Sequence, residues 1–283
     1  MKRTVFVILL MGMWLPGDAS AQVAISPASA GSSLMAGGQP VSNLQPSTDR
    51  SFSWPIASDT RTLPVLSAQL AFAEFQRRSE KQSAESASYS ATSVIQANLP
   101  DRLEYGEYEV QKTFTAPHTL LFKPIRFVGD QFVKVNIIAR LLQSEVDHVE
   151  RNDVAQTAIS SANYKVSYKG ETDVAGRAVH IFQVKPHKKR PGLFKGWIYL
   201  DVHTGSLLRA EGRVVKSPSL FVKNIEFVQD YMDIGSLTLP VHIHTEAYAF
   251  LVGRMIIDIT HADYQPIPLE IESSLIQSPE SSR

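Results

Sequence analysis

Residues 221–264 read FVKNIEFVQDYMDIGSLTLPVHIHTEAYAFLVGRMIIDITHADY, and the alternation inside them decides the architecture. Phe221, Ile225, Phe227 and Tyr231 alternate with Asn224, Glu226 and Asp230, while Met255, Ile257 and Ile259 oppose Arg254, Asp258 and Thr260. A period near two with one apolar side is the pattern of a strand with one face on a core and one in water. The separator Gly235-Ser236 is too short for a parallel crossover, so these neighbours pair antiparallel.

The same pattern continues upstream. Strands are predicted at Tyr164–Lys169, Arg177–Lys185, Lys195–Asp201, Ser206–Val215, Phe221–Asp233, Thr238–Tyr248 and Gly253–Tyr264, with turn signals at residues 172–176 and 202–205 between them. Before them, Ile138, Leu142, Val146 and Val149 recur at helical spacing and predict a helix over Ile137–Glu150. Three further strands precede it from Tyr89 onward. In one of them Tyr108, Val110, Lys112 and Phe114 alternate with Glu107, Glu109, Gln111 and Thr113, and another covers Leu120–Phe127. Pro100-Asp101, Pro117 and Gly129-Asp130 mark the turns. A first helix over Val65–Arg78 presents Val65, Leu66, Leu70, Phe72 and Phe75 as an apolar stripe. The predicted class is α+β: about ten antiparallel strands in one large sheet, covered by a few α-helices.

Both ends of the chain read differently. Lys2 and Arg3, the apolar run Thr4–Leu15 and the small-residue site Ala19-Ser20-Ala21 follow the order of a secretory signal, so residues 1–21 are expected to be removed after export to the periplasm. Residues 22–62 are rich in Ser, Ala, Gly and Pro without an apolar period and read as a disordered tether. The domain is expected to span 63–265, with a flexible tail at 266–283. The 283 residues carry 28 basic and 28 acidic side chains, a balance that argues against a nucleic-acid binder. The chain has no cysteine, which excludes thiolate metal sites, thiol nucleophiles and a lipidated N-terminal cysteine.

The order helix, three strands, helix, seven-strand meander resembles the periplasmic carrier fold of LolA, LolB and RseB. The segments Ala158–Tyr164 and Lys188–Asp201, followed by Thr204-Gly205, are similar to outer-membrane lipoprotein-sorting proteins. The resemblance implies a strongly curved sheet, a half-barrel, with helices over its open side. It implies a carrier or binding protein for a lipid or a lipid-modified protein, without catalysis or cofactor. Its alternative is a sensor or protein-interaction module of the RseB type on the same fold. In the carrier reading the concave face shelters acyl chains, and Phe114, Ile125, Phe127, Ile225, Phe227, Ile243, Met255 and Ile257 are the candidate lining. Each of these also fits ordinary core packing.

Three polar groups stand out. His242, His244 and Glu246 at alternate strand positions share one face and have metal-ligand chemistry, but that face opposes Val241 and Ile243 and is predicted to be the solvated one, so no metal site is assigned. In the loop Lys185–Lys195, Lys188, Lys189 and Arg190 flank a Leu193-Phe194 tip that is expected to be exposed, a combination suited to an anionic membrane surface. Glu145, Asp147, His148 and Glu150 read as a solvated helix end with no acid–base role. No nucleophile elbow, His-Glu-x-x-His or phosphate loop is present in the sequence, and no catalytic residue is assigned.

Overall fold

Helix α1 (Ala68–Glu85) opens the folded part, placing Ala71, Phe75 and Ser79 at a spacing of four on its buried side. A computed structural model describes residues 64–85, 87–151, 154–217 and 222–267, all within one compact unit. The expected signal at 1–21, tether at 22–62 and most of the tail lie outside the described residues.

After α1 come strands β1 (Ser88–Leu99), β2 (Glu104–Thr115) and β3 (Thr119–Gly129). A continuous helical stretch follows: α2 (Gln131–Val133), a π-helical segment Lys134–Ile138 and α3 (Ala139–Arg151), with the short α4 (Val154–Thr157) behind it. The meander is β4 (Tyr164–Val174), β5 (Arg177–Pro186), β6 (Phe194–Asp201), β7 (Leu207–Val214), β8 (Val222–Ile234), β9 (Leu237–Ala249) and β10 (Gly253–Ile267). All ten strands form one antiparallel sheet in the order β3-β2-β1-β10-β9-β8-β7-β6-β5-β4. The sheet is open, with β3 and β4 at its edges, and it is the curved half-barrel α+β class expected from the sequence.

Curvature has identifiable causes. Register breaks interrupt the β1–β10, β2–β3, β4–β5, β6–β7 and β8–β9 pairings, and each such bulge increases the local twist. Gly196 and Gly212 face each other across β6 and β7. A Cβ on Gly196 would lie 1.9 Å from the Glu211 carbonyl oxygen, so the two backbones approach more closely than any side chain permits.

The inner face is covered from two sides. Helix α1 lies over the middle of the meander: Phe72 meets Phe182 of β5 with ring centroids 5.5 Å apart, and the Leu66 amide just ahead of the helix donates to the Val202 carbonyl at 2.8 Å. At its other end Gln82 exchanges two hydrogen bonds with the Thr238 backbone, and Arg78 pairs with Asp233 at 2.8 Å. Helices α2 and α3 cover β1–β3 through Val133, Ile137, Ile138 and Leu142, which share a single hydrophobic cluster with Ile95, Tyr108, Val110 and the inner residues of β5–β10. The sheet therefore buries one face along almost its whole width, the burial that drives the fold.

Three expectations need correction. The first helix begins at Ala68, three residues later than predicted, and Val65 and Leu70 are exposed because the buried stripe runs through Ala71, Phe75 and Ser79. Strand β10 continues to Ile267, pairing Pro266 with Tyr89 and Ile267 with Ser88, so the first two residues of the predicted tail belong to the sheet. In β3 a bulge sets both Ile125 and Arg126 against Glu109, between the pairs Glu109–Arg126 and Val110–Pro124. That slip takes Ile125 off the face of Phe127 and leaves it 53% exposed, so Ile125 is not part of the inner lining.

Candidate ligand-binding site

The other expected lining residues do share the inner face. Cross-strand register aligns Ala210, Gln229, Ile243, Ile259, Ile95 and Tyr108 in one row from β7 to β2, with Phe127 next on β3. The adjacent row holds Phe227, Thr245, Ile257 and Ala97. Ile225, Phe227, Ile243, Met255 and Ile257 are each buried in the one cluster beneath the helices. Phe114 and Phe127 are half-buried nearer the β3 edge, where Phe127 meets Tyr108 edge-on at 5.7 Å and Phe114 meets Tyr89 at 5.5 Å. The face is closed: α1 and α2–α3 rest on it.

At one end of this apolar face lies a polar group that the sequence reading missed. Lys112 of β2 and Glu145 of α3 are both buried, with Nζ and Oε1 2.5 Å apart. Beside them the Ser93 hydroxyl and His261 Nδ1 are hydrogen-bonded at 2.7 Å, both side chains buried. Tyr89 and Tyr264 close the group, their rings 5.6 Å apart, and the Tyr264 hydroxyl donates to the Pro240 carbonyl. Ser144 and His148 of α3 are buried as well.

Electrostatics here follow from burial. Desolvation works to lower the Lys112 ammonium, but the Glu145 carboxylate and the Tyr89 oxygen outweigh it, and the net displacement is upward. His261 is held well below the usual imidazole value, first by desolvation and then by the charges of Lys112 and His242, so it is neutral. Tyr89 and Tyr264 are pushed up, chiefly by burial. The cluster thus carries one internally cancelled ion pair and otherwise uncharged donors and acceptors.

A signal for this cluster existed in the sequence. Lys112 falls on the apolar parity of Tyr108, Val110 and Phe114, and Glu145 and His148 fall on the helical phase of Leu142 and Val149. The predicted solvated helix end is corrected: Glu145 and His148 face the sheet.

The basic loop is also corrected in part. Lys188 and Lys189 are exposed, and Arg190 is half-buried with Nη2 donating to Asn163 at 3.0 Å. Leu193 and Phe194, expected at an exposed tip, are 0% exposed, because Phe194 starts β6 and stacks edge-on with Phe227 of the core at 5.0 Å. Exposed apolar tips occur elsewhere on the same end of the sheet: Leu103 between β1 and β2 is 94% exposed, and Phe250 and Leu251 between β9 and β10 are 73% and 77% exposed. Those two loops touch, since the Arg254 amide donates to Asp101 Oδ2 at 2.8 Å. Strand alternation puts the β5–β6 loop with Lys188 and Lys189 at that end too.

His242 and His244 lie on the outer face, where His244 Nδ1 meets Asp258 at 2.7 Å and His242 stands 3.8 Å from both Asp230 and Asp258. Among the described residues no group of three His, Asp or Glu side chains is placed to hold a metal ion. An open groove of about 720 Å³ crosses this outer face along Trp197, Glu211, Arg213, Glu226 and Glu246. Along it Arg213 pairs with Glu226, and Glu246 pairs with the neighbouring Arg254.

No protein-family model matches the chain, and no curated protein matches it. Solved structures do. A DUF1329 family protein from Desulfovibrio piger is 12% identical over 73% of this chain and 94% of its own, with a TM-score of 0.38. A LolA superfamily protein from Nitrosomonas europaea is 11% identical over 72% and 95%, with a TM-score of 0.37. An outer membrane lipoprotein-sorting protein domain from Vibrio parahaemolyticus is 11% identical over 75% and 96%, also at 0.37. Among the described residues no helix is long and apolar enough to cross a membrane.

Proposed function

We propose that the protein is an exported carrier that shelters the acyl chain of a lipid or lipid-modified polypeptide between the inner face of its sheet and the helices α2–α3, without catalysing a reaction. The observation that carries this reading is the continuous apolar row Ile243, Ile259, Ile95 and Tyr108, lying under helices that belong to separate segments of the chain. Helices packed on a sheet through side chains alone can shift as bodies without breaking the strand hydrogen bonds beneath them. Each buried methylene is worth about 0.8 kcal/mol, so a chain of some fifteen methylenes offers about 12 kcal/mol toward replacing helix–sheet contacts.

Mass spectrometry of the protein purified under native conditions from its own host tests the reading: co-purifying acylated molecules in near-stoichiometric amount support it. A ligand-free protein that also leaves acyl probes unbound overturns it.

Delivery to a membrane uses the loop end of the sheet. Leu103, Phe250 and Leu251 supply apolar tips, and Lys188 and Lys189 supply charge, each basic side chain worth about 1 kcal/mol near an anionic surface.

A further inference from the structure

Gln229 is 0% exposed, and neither atom of its side-chain amide meets a hydrogen-bond partner among the described residues. It stands on the inner face between Ala210 and Ile243, both apolar. His261 Nε2 is equally buried and unpartnered, although Nδ1 is engaged by Ser93. Ser144 Oγ, on the face of α3 that covers this end, is a third. An unsatisfied buried polar group costs about 1–3 kcal/mol, so these side chains oppose the closed fold as it stands. Such groups gain a role when something else completes their hydrogen bonds.

We propose that Gln229, His261 and Ser144 form the polar seat of the acyl site and select a ligand whose head is an uncharged ester, amide or hydroxyl over one ending in a free carboxylate or phosphate. This rests on the acyl-carrier reading. Strand spacing puts Gln229 and His261 ~12 Å apart, two strands over and one pair along, with apolar Ile243 and Ile259 between them. Two hydrogen-bonding points separated by an apolar stretch fit a head with more than one carbonyl or hydroxyl, its acyl chain running along the adjacent row of Phe227 and Ile257. Charge decides the class. The buried cation of the cluster, Lys112, is already neutralised by Glu145 at 2.5 Å, so an anionic head entering beside these three groups would find that cation already paired. An amide, a neutral imidazole and a hydroxyl instead offer donors and acceptors of matching strength to carbonyls and hydroxyls.

The test is competition of 1-oleoylglycerol and oleate, which share one acyl chain, against a fluorescent acyl probe at pH 8. The expected result is at least tenfold tighter binding of the glyceride. Gln229→Leu and His261→Leu are each expected to weaken the glyceride about tenfold and to move oleate less than twofold. Gln229→Leu removes only unsatisfied polar atoms, so a purely structural role there would leave affinity unchanged while stability held or rose, whereas His261→Leu also strips the buried Ser93 hydroxyl of its partner and is read on the ratio of the two affinities. Equal or tighter binding of oleate by the unaltered protein overturns the selection while leaving the carrier reading intact, as does a variant that weakens both ligands alike. Failure of both ligands to compete, with the probe itself unbound, overturns the carrier reading and the selection with it.

Discussion

Lys112 Nζ lies 2.5 Å from Glu145 Oε1, and this pair ties the inner face of β2 to the helix that covers it. Both groups are almost fully withdrawn from water, so their attraction is set against a large desolvation cost. Glu145→Gln leaves the ammonium without its counter-charge and is expected to lower stability by about 3–5 kcal/mol in urea denaturation. The double variant Lys112→Met/Glu145→Leu removes both charges and is expected to return to within about 1 kcal/mol of the original protein. A double variant as unstable as the single one would show that packing, and not charge, holds α3.

Stability should depend on pH in two separate windows. The pKa of His261 is depressed on folding, so between its folded value and the unfolded value near 6.5 only the unfolded chain takes up the proton. That contribution is present above about pH 6.5 and declines as pH falls, by about 1.4 kcal/mol per pH unit. His261→Gln should flatten the slope between about pH 5.5 and 6.5. Lys112 is displaced upward, so its contribution persists below about pH 10.4 and disappears only as pH climbs through the higher folded value. Thermal melts across both ranges check the two signs.

Helix α1 is anchored by Phe75, whose ring is buried and stands 5.9 Å from that of Phe72. Phe75→Ala is expected to cost about 3–5 kcal/mol by denaturant titration, because it empties a site between helix and sheet. Arg77→Ala on the exposed side of the same helix, where the residue pairs with Glu74, should shift stability by less than about 1 kcal/mol.

Membrane contact through the loop end predicts that Leu103→Asp/Leu251→Asp reduces co-sedimentation with anionic vesicles at any salt concentration. Lys188→Glu/Lys189→Glu should reduce it mainly at low salt, since screening already weakens charge attraction at high salt. Undiminished binding in both variants would remove this surface from the account.

The sheet was legible because its strands carry a clean period of two and its turns carry Gly, Pro and Asp; each of the seven meander strands falls within a few residues of its expected place, apart from the longer β4. Faces were legible only where the period is unbroken. The bulge at Ile125 inverts the parity of β3 locally, because the extra residue is left without a cross-strand partner. Leu193-Phe194 looked exposed because it follows Lys188-Lys189-Arg190, yet Gly192 ends the loop and Phe194 already begins β6. The polar cluster was hidden for another reason: Lys112, Glu145, Ser93 and His261 come from four elements, and only the folded sheet brings them together. Charged residues carry a strong prior for solvent, which a lone sequence position does little to overturn.

The central claim, that an acyl chain occupies the inner face beneath α2–α3, is tested most directly by photo-crosslinking a fatty acyl glyceride with a diazirine on its chain and mapping the adducts by peptide mass spectrometry. The account predicts adducts on Phe227, Ile243, Met255 and Ile257 and on the covering helix around Leu142. Adducts confined to the outer face, or to the groove along Trp197 and Arg213, would contradict it.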